Sequence, residues 1–70
     1  MRDNLKQARR DACMTQQEVA YELDITLRYY KMIEAGTVGG MFKIWDKLED
    51  MFHLPQRFLR ENDPDQADSQ

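Results

Sequence analysis

The chain has 70 residues and 8.4 kDa, 41% hydrophobic and 33% charged, which suits one small globular domain. No apolar run nears the ~20 residues of a membrane span, and Asp3 and Asp11 interrupt any signal-peptide pattern. Net charge is −3, but residues 1–43 hold seven bases and six acids while 44–70 hold three bases and seven acids, so the whole-chain charge describes neither half.

Leu5, Ala8 and Ala12 share one helical stripe, ringed by Arg2, Lys6 and Arg9 or Arg10, and predict helix 1 over about 3–12 with Asp3 or Asn4 as its cap. Thr15-Gln16-Gln17-Glu18 is a capping box, with Met14 and Val19 placed as a hydrophobic staple. It opens helix 2, about 16–23, whose apolar face is Val19, Ala20 and Leu23. Thr26 caps helix 3, about 27–35, and Gly36 suits its left-handed end. Met41, Ile44, Trp45, Leu48, Met51 and Phe52 carry the strongest helical period and predict helix 4 over about 41–52. Pro55 suits the first turn of a short helix 5, with Phe58 and Leu59 turned inward. No strand alternation stands out. The expected class is all-α, a compact five-helix domain over 1–60 followed by a disordered acidic tail over 61–70.

Two short helices joined by a three-residue turn form a helix-turn-helix pattern. Thr15-Gln16, Glu18-Val19-Ala20, Leu23, Ile25-Thr26, Tyr30 and Ile33-Glu34-Ala35-Gly36 resemble the Cro and lambda-repressor-like helix-turn-helix family, also called XRE-like. In weaker form the resemblance runs from Leu5 to Leu59. It implies a sequence-specific transcription regulator, a repressor or Cro-like switch, with helix 3 in the major groove of double-stranded DNA. Leu27, Arg28, Tyr29, Lys31 and Met32 then read bases, with Arg28 suited to guanine, while Gln16, Thr26, Thr37 and Lys43 meet phosphates. Tyr30 takes the buried position, which leaves Tyr29 exposed. The resemblance also pairs Arg9 with Glu34 as a structural ion pair. Without it, Arg9 faces solvent beside Arg10, and Arg28 and Lys31 are an ordinary solvated helix face.

The chain departs from the family where Cys13 and Asp24 stand in place of glycine, and where Thr37-Val38-Gly39-Gly40 replaces a basic or polar loop. A palindromic operator bound by a homodimer is expected, with Phe42, together with Phe52 or Phe58, marking a dimer contact. No catalytic residue, metal, cofactor or small-molecule effector is expected. Cys13 is the sole cysteine, and one cysteine and one histidine make no ligand cluster. Without a disulfide frame the expected setting is cytoplasmic. The competing reading is a protein-interaction module on the same fold, such as an antitoxin or antirepressor, kept open by the acidic half and the exposed aromatics.

Overall fold

A computed structural model describes residues 1–61, and these form five helices without strands: α1 (Asp3–Asp11), α2 (Gln16–Leu23), α3 (Leu27–Ala35), α4 (Phe42–Phe52) and α5 (Gln56–Leu59). The tail expected over 61–70 lies, from Asn62 on, outside the described residues. Among the described residues no helix is long and apolar enough to cross a membrane.

The starts of α2 and α3 follow their caps. Thr15 Oγ1 accepts from the Glu18 amide at 3.1 Å and Glu18 Oε1 accepts from the Thr15 amide at 2.8 Å, a reciprocal box. Thr26 Oγ1 accepts from the Tyr29 amide at 3.1 Å. The first three helices stop alike. A left-handed residue after each, Cys13 (φ 59), Asp24 (φ 59) and Gly36 (φ 83), reverses the chain. The next amide then bonds back five residues, from Met14 to Arg9, Ile25 to Ala20 and Thr37 to Met32, at 3.0–3.1 Å. The two positions where glycine was missing thus do take the backbone that glycine prefers.

Leu5 and Ala8 of α1, Val19, Ala20 and Leu23 of α2, Tyr30 and Ile33 of α3, Ile44, Trp45 and Leu48 of α4 and Leu59 of α5 form one core. Ala20 is buried in this core, and α2 packs on α3. α4 packs on α5, and α1 packs on both α5 and α3.

Several expectations change. Neither Asp3 nor Asn4 caps α1: its N-cap is Arg2, and no side chain bonds to the first amides. Ala12 is exposed, because α1 ends at Asp11 and the stripe no longer continues. Met41 is 60% exposed, since it precedes α4 as N-cap instead of starting its buried stripe. Pro55 likewise caps α5 from outside. Phe58 points outward at 43% exposure while Leu59 is fully buried, because a four-residue helix cannot turn two adjacent side chains to the same side.

Candidate nucleic-acid interface

Helix α3 has two unlike faces. Tyr30, Ile33 and Glu34 are buried, and Arg28, Lys31 and Met32 are exposed. The exposed three fall at i, i+3 and i+4, so they form one outward strip beginning in the first turn. Neither Arg28 nor Lys31 is in an ion pair among the described residues. Leu27 and Tyr29 lie on the flanks and are half-buried, Tyr29 against the core. The expected exposed Tyr29 is therefore corrected: it sits one turn before Ile33 and shares part of the buried side.

The phosphate candidates divide in the same way. Lys43 is exposed in the first turn of α4, where no side chain caps the free amides. The Thr26 hydroxyl oxygen accepts from Tyr29, so its proton remains free to donate. Gln16 and Thr37 are occupied. Gln16 Nε2 donates to Glu34 Oε1 at 3.1 Å, and Thr37 Oγ1 donates to the Met32 carbonyl at 3.1 Å.

Glu34 is the hub beneath the strip. Arg9 Nε donates to its Oε2 at 2.9 Å and Arg9 Nη2 to its Oε1 at 3.3 Å, while the Tyr30 hydroxyl donates to Oε2 at 2.8 Å. Arg9 also donates through Nη1 to the Met14 carbonyl at 2.9 Å, which ties the end of α1 to the loop before α2. Burial acts to raise the Glu34 carboxyl, but the bonds from Arg9 and Tyr30, the Arg9 charge and the Gln16 bond hold it below the usual carboxylate range. Burial and the bond to Glu34 push the Tyr30 phenol well above its ordinary value, so it stays a donor. Arg9 is raised by that same carboxylate. The hub holds α1, the start of α2 and α3 in register, and so fixes how the strip is presented.

Arg2 is the residue that sequence reading missed. Its position around the α1 stripe predicts an outward side chain, yet it is only 5% exposed. Its Nη1 donates to the carbonyls of Ile33 at 2.6 Å and Val38 at 2.8 Å, and its Nε to that of Arg60 at 3.0 Å. Its backbone amide donates to the Glu34 carbonyl at 2.9 Å. The guanidinium lies 5.1 Å from the centre of the Trp45 ring. These bonds gather the end of α3, the loop to α4 and the end of α5. The only available sequence signal was weak: an α3 that ends on unpaired carbonyls needs donors.

No protein-family model, curated protein or solved structure matches this chain.

Proposed function

We propose that this protein is a sequence-specific double-stranded DNA-binding regulator of the helix-turn-helix type, acting without catalysis as a homodimer on a palindromic site. One observation carries the reading: α3 turns Arg28, Lys31 and Met32 outward in a strip free of ion pairs among the described residues, on a helix whose opposite side is anchored in the core. In this reading Arg28 reaches guanine through two parallel hydrogen bonds, Lys31 meets guanine or phosphate, and Met32 meets a thymine methyl. Leu27 and Tyr29 contribute only their exposed edges. Lys43, the Thr26 hydroxyl and the first-turn amides of α4 fix the register on phosphates. Gln16 and Thr37 would first have to release their present partners, so they are secondary. Occupancy of the site then controls access of the transcription machinery.

Anisotropy titration on random duplex DNA tests the electrostatic part: affinity falls steeply as salt rises because counterions are released. Selection from random duplexes is expected to recover an inverted repeat with half-sites ~34 Å apart. Arg28→Ala is expected to cost ~1–3 kcal/mol on the selected site and much less on random duplex. An absence of any shift at low salt would instead favour the protein-interaction module.

A further inference from the structure

The segment between α3 and α4, residues 36–41, holds all three glycines of the chain and no basic side chain. Its backbone is nevertheless fastened at successive residues. The Thr37 amide and hydroxyl both donate to the Met32 carbonyl, at 3.0 and 3.1 Å. Arg2 Nη1 donates to the Val38 carbonyl at 2.8 Å, and Trp45 Nε1 to the Gly39 carbonyl at 2.8 Å. Gly40 closes against the same indole: its φ is 78, and a Cβ there would stand 2.9 Å from Trp45 Nε1.

The two side chains that hold the loop reach different helices. Arg2 Nη1 also donates to the Ile33 carbonyl in the last turn of α3, at 2.6 Å, so one nitrogen bridges helix and loop. Trp45 belongs to α4 and is buried in the core beside Ile44 and Leu48. The Arg2 guanidinium lies over the indole, 5.1 Å from its centre, and joins the two holders. α3 packs chiefly on α1 and α2, and α4 on α2 and α5. The relation of α3 to the start of α4 therefore depends on the loop between them, and adjacent glycines left unbonded would give that loop wide freedom.

We propose that Arg2 and Trp45 are positioning residues for recognition: they turn the 36–41 loop into a rigid spacer that sets the base-reading strip of α3 against the phosphate-binding start of α4. This rests on the DNA-binding reading of α3 given above. Phosphate contacts form on any duplex, whereas base contacts need side chains placed to a fraction of an ångström once the phosphates have set the register. A loosened spacer thus leaves Lys43 and the strip able to meet DNA but lets the two move independently. Preference falls and general affinity stays.

The test compares the full chain with Trp45→Phe, which keeps an aromatic ring and removes the donor to Gly39. Leu5→Val, a buried trim in α1, is the control for lost stability alone. All are titrated well below their melting temperatures on the selected duplex and on random duplex. Trp45→Phe is expected to lower the ratio of the two affinities about tenfold, within the range that one base contact supplies. Its salt slope on random duplex should match the parent's, because the number of phosphate contacts is unchanged. Leu5→Val should melt earlier and keep the ratio. One extra glycine inserted after Gly39 lengthens the spacer without touching the core, and is expected to lower the ratio as well; it decides the matter alone where Trp45→Phe does not fold. A ratio preserved in the insertion variant, or lowered as much by Leu5→Val as by Trp45→Phe, would overturn the proposal while leaving the α3 strip standing. A parent that binds no duplex would remove the DNA-binding reading itself, and the spacer with it.

Discussion

Arg2 and Arg9 flank α1 at its two ends, and both are drawn into the protein, yet their charges are accommodated in opposite ways. Arg9 meets formal charge, the carboxylate of Glu34 at 2.9 Å. Arg2 meets only dipoles, three backbone carbonyls and the face of Trp45. The consequences for protonation differ accordingly. Burial, and then the charge of Arg60, lowers the pKa of Arg2, whereas the bond to Glu34 leads in raising that of Arg9. A buried guanidinium thus needs its donors filled more than it needs an opposite formal charge. Carbonyls near the ends of α3 and α5, with their partial negative charge, and one from the loop after α3 serve for Arg2.

Breaking the dipole-held site is expected to have the larger effect. Arg2→Ala leaves the carbonyls of Val38 and Arg60 without their side-chain donor and that of Ile33 with only the Gly36 amide. A loss of about 3–5 kcal/mol is expected, comparable with the whole stability of a lone core this small. Arg2→Lys should rescue little, because an ammonium cannot reproduce the planar fork. Thermal unfolding followed by circular dichroism checks both, with exposed Arg10→Ala as the control; equal melting of Arg2→Ala and the control would remove the clamp from the account.

The charge-paired site breaks less completely, because Arg9 keeps the Met14 carbonyl and Glu34 keeps Tyr30 and Gln16. Glu34→Ala and Arg9→Ala are each expected to cost about 3 kcal/mol. The double variant should lose less than the sum. Additive losses in urea titrations would show that the two residues do not act together.

Acid separates the two sites more gently. The folded-state pKa of Glu34 is depressed below its ordinary 4.5. Its contribution is therefore full above the unfolded value and disappears as pH falls through the lower folded value. The melting temperature should drop across that window in the parent chain and drop less in Glu34→Gln. Arg2 has no titrating partner among its bonds, so Arg2→Lys should leave the acid slope as it was. A parent and Glu34→Gln with parallel acid limbs would contradict the depressed carboxyl.

The smallest expected effect lies just beyond Arg9. Cys13 holds φ 59, a left-handed backbone that costs a non-glycine residue roughly 1 kcal/mol. Cys13→Gly offsets that strain against the greater freedom of glycine in the unfolded chain. A gain of a few tenths up to about 1 kcal/mol is expected from denaturant midpoints. At Gly40 the outcome reverses. Its φ is 78, and a Cβ there would stand 2.9 Å from Trp45 Nε1, which donates to the Gly39 carbonyl, so Gly40→Ala destabilises.

Local signals were legible wherever the cause was local. The Thr15 box, the Thr26 cap and the glycine-like stop at Gly36 depend on residues within five positions of each other, and the bounds of α2 and α3 followed from them. The bond between Arg9 and Glu34 spans 25 residues and was anticipated only through resemblance, since no short-range pattern joins the two. Tyr29 departs from expectation because it lies one turn before Ile33 and shares its side, and Phe58 because it and the buried Leu59 are adjacent and face different ways.

The sequence by itself determined the helical class, the starts of α2 and α3 at their threonine caps and their ends before Asp24 and Gly36, because those choices are made by hydrogen bonds between near neighbours. Only the tertiary structure decided that Arg2 is buried and that the Gln16 amide is held by Glu34. Both depend on groups brought together from distant parts of the chain. The carbonyls that hold Arg2 belong to Ile33, Val38 and Arg60, and a carbonyl is the one polar group that every residue carries, so no pattern of side chains marks it in advance.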